Sequence, residues 1–193
     1  MGRPPAHAVD EFVDAAVRLF AAGGARAVTM TSVAREVGVH SGSVYHRFSG
    51  RPALLSAVWL RTERRFHHQL LRVVDDHPGA EGVVLASGWI VDWCRDNAGE
   101  AAVLHAGVRA FSPDTWPEEA RAELAENVAA RDRETARVVR GLRAGTGRDA
   151  DEILLALIDL PVAVVSRYVA RGTAAPASAT ELTRRIASLI MAG

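Results

Sequence analysis

The chain has one cysteine, Cys94, in 193 residues. That excludes an internal disulfide and a cysteine-ligated zinc cluster, and it fits a reducing cytoplasm. No apolar run reaches the ~18 residues that a membrane-spanning helix needs. The longest greasy stretch, Ile153 to Val165, is interrupted by Asp159 and Pro161. Asp10 and Glu11 arrive before a signal-peptide core can form, and Ala6 breaks a myristoylation pattern at Gly2. A cytoplasmic protein without a membrane partner is expected. Lysine is absent, so all 23 basic side chains are arginine, which we read as the bias of a GC-rich genome. Net charge is also missing, because 23 acids balance them.

Enzymatic signatures are lacking as well. There is no Gly-x-Ser-x-Gly elbow, Walker loop or dinucleotide fingerprint, and Gly145-Thr146-Gly147 lacks the rest of one. His67, His68, Asp75, Asp76 and His77 cluster without matched metal-ligand spacing and read as solvated. Cys94 with Asp92 and His105 could be imagined as nucleophilic chemistry, but a lone cysteine on an apolar stripe is usually just buried. We expect no catalytic residue, no metal and no cofactor.

What is present is helical. Apolar residues at 49% and charged residues at 24% are globular values. Val9, Phe12, Val13, Ala16, Val17 and Phe20 recur at three- and four-residue steps, ending at Gly23-Gly24. Short helices are predicted over 30–37, with Thr29 as N-cap, and over 41–48. A long helix follows over 52–75, then others over 80–97, 100–111, 117–143, 149–170 and 179–191. The buried stripe of the last is predicted as Leu182, Ile186 and Leu189. Segment 149–170 is apolar nearly all round, so it is expected to lie centrally or to pair with a second subunit, kinked at Pro161. The fold class is all-α, of about nine helices.

The informative stretch runs from Thr29 to Phe48. Val33, Ala34 and Val37 give its first helix an apolar face, Gly38 supplies the turn, Val39 is expected to plug the junction, and Val44 and Phe48 anchor the second helix. Ser41, Gly42, Ser43, Tyr45 and His46 are left on a face of small, hydrogen-bonding groups. Such a face can enter a DNA major groove, because small residues allow close approach to base edges. Arg35, Arg47, Arg51 and Tyr45 could bond phosphates beside it.

These residues resemble the TetR family of transcriptional repressors. The match runs through Leu19, Phe20, Gly23, Thr29, Val33, Ala34, Gly38, Val39, Gly42, Ser43, Val44, Tyr45, Phe48, Arg51 and Leu54. It is detailed over residues 8–60 and only architectural beyond. Three departures stand out. His40 replaces the Ser that commonly caps the recognition helix, so Ser41 is the expected substitute cap. Thr31 and Ser32 replace an Arg-Asp pair, and Pro52 replaces an acid.

The resemblance implies a three-helix helix-turn-helix head over 7–67 and a ligand-binding and dimerisation domain over 68–193. It implies a homodimer that reads a near-palindromic double-stranded operator through Thr29, Thr31, Arg35, His40, Ser41, Gly42, Ser43, Tyr45, His46, Arg47 and Arg51. A small hydrophobic or aromatic effector would release it, bound among Trp89, Trp93, His105, Arg109, Phe111, Trp116, Asn127 and Tyr168. Charge supports the division independently. Residues 1–72 hold ten Arg against five acids, and residues 73–193 hold thirteen Arg against eighteen acids. The basic part carries the motif, as attraction to phosphate requires. A helical adaptor that binds only protein is the alternative, and a gel shift separates the two.

Overall fold

The computed structural model describes residues 7–192. Gly2 and Ala6, on which the reading of the N-terminus rests, lie outside them. Among the described residues the fold is all-helical. The helices are α1 (His7–Ala27), α2 (Met30–Val37), α3 (Ser41–Tyr45), α4 (Arg51–Asp76), α5 (Ala80–Asp96), α6 (Ala98–Ala106), α7 (Glu118–Thr146), α8 (Ala150–Leu154), α9 (Leu160–Val169) and α10 (Ala177–Ala192). Two 3-10 turns, Val108–Phe111 and Pro113–Thr115, follow α6, and a π turn, Leu155–Asp159, joins α8 to α9.

The chain folds as two compact units that do not follow chain order. Residues 1–63 and 102–126 form the first, and 64–101 with 127–193 the second. The unit boundaries fall inside α4, α6 and α7.

The first unit is built on the stripe of α1. Phe12, Val13, Ala16, Val17 and Phe20 are buried, joined by Val33 and Ala34 of α2, Val44 of α3, and Leu54, Leu55 and Val58 of α4. Phe111 completes this core, stacking on Phe20 at 4.6 Å between ring centroids and meeting Trp59 at 5.6 Å. Trp116 is buried beside it and donates Nε1–H to the Phe111 carbonyl at 2.8 Å. Aromatic pairs of this kind contribute about 0.5–1.5 kcal/mol each beyond their area.

The second unit has its own core, centred on Leu70, Val74, Val83, Ala86, Ile90, Val138, Leu142, Ile153 and Leu157. Two expectations are corrected here and a third is refined. First, α10 buries Ala179, Thr180, Thr183, Ala187 and Met191. Its predicted leucine stripe turns outward, with Leu182 at 38% and Leu189 at 69% exposure. Small residues let α10 approach α5 closely, where Asp92 accepts from Thr180 (2.6 Å) and Arg184 (3.3 Å). Second, of the two alternatives for the 149–170 segment, central burial within one chain does not hold, because Leu155 and Val162 are about half exposed at 47% and 48%, which leaves pairing with a second copy. Third, the expected distortion at Pro161 takes the form of the π turn over Leu155–Asp159, in the helical turn just before the proline, which has no N–H to donate back along the helix.

Gly82 marks another tight point. A Cβ there would collide with the His77 carbonyl oxygen, so only glycine fits where α5 leaves the turn after α4.

Candidate nucleic-acid interface

Local chemistry explains why residues 29–48 form two helices with one exposed face. Thr29 is extended at the N-cap of α2, and its hydroxyl accepts from Ser32 N at 3.0 Å. Ser32 Oγ in turn accepts from Thr29 N at 2.9 Å, which closes a capping box with Ser where Glu is usual. Gly38 ends α2 in the left-handed region (φ 80°), and Val39 N returns to Ala34 O at 2.9 Å. Val39 does not plug the junction as expected. Its backbone makes the cap while its side chain stays exposed. α3 is shorter than predicted and ends at Tyr45, although Arg47 N and Phe48 N still reach Val44 O. Phe48 anchors this turn edge-on to Phe12 at 6.4 Å. His40, not Ser41, occupies the N-cap of α3, and it offers no side-chain cap hydrogen bond.

The predicted DNA-contact residues fall into three groups. Thr31, Arg35, His40, Ser41, Gly42, Ser43, Tyr45 and His46 are exposed, Tyr45 by 58% despite its ring. Thr29 is exposed but commits its hydroxyl to the cap. Arg47 and Arg51 are half-buried. Arg51 is engaged internally, donating Nε–H to Val28 O at 2.8 Å and Nη2–H to Ala25 O at 2.5 Å. Sequence spacing showed the charge of Arg51 but not this use of it.

The basic excess of residues 1–72 is partly cancelled by ion pairs. Arg18 pairs with Glu36 at 2.9 Å, and Arg61 pairs with Asp14 at 2.7 Å and Asp10 at 3.7 Å. Arg26, Arg35 and Arg47 have no acidic partner among the described residues, so positive charge is local to residues 26–47, while the first unit as a whole holds nine Arg against ten acids.

The predicted effector residues are divided between the units. Phe111 and Trp116 belong to the first unit's core, and His105 and Arg109 are exposed. In the second unit Trp93 is buried and Trp89 half-buried, both against Phe66 (4.9 and 5.6 Å). Trp93 Nε1–H donates to Gln69 Oε1 at 3.0 Å. Phe66 and Gln69 were missed as site candidates because α4 reads as a connecting helix. Asn127 Nδ2 and Ser87 Oγ are buried without a hydrogen-bond partner among the described residues. Tyr168 lines a surface groove of about 390 Å³ between α9 and α10 with Arg167, Leu182 and Arg185. Burial pushes the Cys94 thiol up to about 12, so it stays protonated at neutral pH and is not an activated nucleophile.

A capped helix, a glycine turn and a short second helix with an exposed polar face define a helix-turn-helix DNA-binding module. Residues 12–58 match the family model described as bacterial regulatory proteins, tetR family. The match covers the head, and the whole chain shares its fold with solved regulators of that family. Among solved structures, the transcriptional regulator FadR from Bacillus subtilis, in complex with stearoyl-CoA, is similar at 17% identity and TM-score 0.70, covering 95% of this chain and 98% of that one. The fatty acid degradation regulator FadR from Bacillus halodurans is similar at 16% identity and TM-score 0.69, covering 99% and 98%. A TetR-like transcriptional regulator from Rhodococcus sp. RHA1 is similar at 22% identity and TM-score 0.70, covering 96% of each chain. No curated protein matches. Among the described residues no helix is long and apolar enough to cross a membrane.

Proposed function

We propose that this chain is a ligand-responsive transcription regulator, acting as a repressor, that binds a near-palindromic operator as a homodimer. The observation that carries the reading is the exposed face of α3 and its flanks, where Ser41, Gly42, Ser43, Tyr45 and His46 stand open around a buried Val44. Small side chains at the start of α3 let the backbone come close to base edges, and Tyr45 and His46 supply donors and acceptors. Arg35 and Arg47 neutralise phosphate alongside. The outward Leu155, Val162, Leu182 and Leu189 of the second unit supply an apolar surface for a second copy. Two copies would present two α3 helices to half-sites about 34–36 Å apart or a related multiple.

The effector is assigned to the second unit, beside Phe66, Trp89 and Trp93, with Gln69, Ser87 and Asn127 as polar groups. A cluster of aromatic side chains with a few polar atoms suits a hydrophobic or aromatic molecule. An acyl ligand is the first class to try, since one similar regulator was solved with stearoyl-CoA. Release requires only that the effector prefer the conformation that grips DNA less well.

Selection from a random duplex pool tests the reading. Enrichment of an inverted-repeat sequence, with binding weakened by an apolar or aromatic compound, is expected. Failure to enrich any sequence would favour the protein-only adaptor.

A further inference from the structure

The connection from α1 to α2 is held from two sides. The helix is broken at Gly23-Gly24, and the carbonyls of residues 25–28 would otherwise lack helical partners. Ala25 O accepts from Val28 N at 3.2 Å and from Arg51 Nη2. Val28 O accepts from Arg51 Nε, and Ala27 O accepts from Ser32 Oγ at 2.7 Å. Val28 itself is fully buried. Ser32 is one of the departures named above, and together with Arg51 it satisfies this turn. The turn leads directly into Thr29 and Thr31 at the start of α2.

We infer that Arg51 is a positioning residue for DNA recognition. One edge of its guanidinium, from the first turn of α4, fixes the 25–28 turn and thereby sets where α2 begins beside the reading helix. This rests on the DNA-binding reading above. A lysine keeps the charge but presents a single ammonium, which cannot reproduce the planar two-donor fork.

The test uses the full chain, a duplex enriched by the wild type from a random pool, and an unrelated duplex of equal length. Arg51→Lys is expected to weaken binding to the enriched duplex by about tenfold, while unrelated-duplex affinity stays within about twofold and the salt slope is unchanged. Ser32→Ala loosens the same turn without touching a charge and is expected to shift the same ratio in the same direction. The ratio of the two affinities, measured on folded protein, separates positioning from stability, since a loss of folded fraction lowers both affinities together. Two outcomes overturn the positioning role. One is wild-type discrimination in Arg51→Lys; the other is an equal loss on both duplexes with a shallower salt slope, which would make Arg51 a phosphate contact only. If Arg51→Lys does not fold, Ser32→Ala decides: unchanged discrimination overturns the role. Enrichment of no sequence by the wild type would instead sink the DNA reading, and the positioning role with it.

Discussion

The two units differ most in what they leave outside. The first unit closes its apolar residues around Phe20, Trp59 and Phe111 and exposes polar groups at α3, with Tyr45 as the one large ring at that surface. The second unit buries alanines and threonines of α10 and exposes leucines. A polar, arginine-flanked face suits a hydrated polyanion, whose phosphates are reached by charge and hydrogen bonds. Exposed aliphatic side chains such as Leu155, Val162, Leu182 and Leu189 suit an apolar partner surface. The two faces therefore differ in the chemistry they expose and not in the net charge of their units, which hold nine Arg against ten acids and fourteen against thirteen.

The comparison can be broken at several points. The largest effect is expected from Phe111→Ala. It is predicted to destabilise the first unit by about 3–5 kcal/mol, the usual result of a large cavity in an aromatic core. Loss of sequence-specific DNA binding with a lowered unfolding midpoint would confirm that residues 102–126 belong to that unit; an unchanged midpoint would contradict it. Leu189→Arg should act on the other surface. It places charge where a second copy is proposed and is expected to cost the dimer roughly 2 kcal/mol or more, seen as a shift toward monomer mass in light scattering. Tyr45→Ala should reduce affinity for the enriched duplex by about 1–3 kcal/mol while leaving the melting temperature unchanged, because the ring is exposed.

A smaller effect concerns Cys94. Its folded pKa lies above its ordinary 9.0, at about 12, so the folded state resists losing the proton that the unfolded state gives up. Stability is fully present below pH 9.0 and lost as pH rises toward 12; at pH 10 the loss is about 1.4 kcal/mol. Denaturant titrations of the wild type and Cys94→Ala across this window check it, with the variant losing this slope. Thr29→Ala is the mildest, at about 1 kcal/mol for a lost N-cap, readable as a lower melting temperature of the first unit.

Much of this was legible from residues in sequence. Thr29, Gly38 and the 30–37 helix follow from capping chemistry, which is local and leaves its signature within a few residues. The stripe of α1 and the buried Val44 and Phe48 follow from periodicity. What was not legible is non-local. Nothing in spacing says that Phe111 packs on Phe20, because that contact joins segments ninety residues apart. Leu182 and Leu189 looked buried because hydrophobicity alone does not say which of two apolar faces meets the same chain. The smaller face did, since close helix approach favours Ala and Thr. Arg51 read as a phosphate contact because its charge is visible in sequence and its carbonyl partners are not. The effector residues were the least legible, since an aromatic side chain in a core and one in a ligand site have the same letter.

The salt dependence of binding to the enriched duplex tests the central claim most directly. If the exposed face of α3 and its arginines grip DNA in two copies, log affinity should fall linearly with log salt with a slope steeper than about −4, as several phosphates exchange counterions for arginine. A slope near zero, or equal affinity for the enriched and unrelated duplexes at every salt concentration, would contradict it.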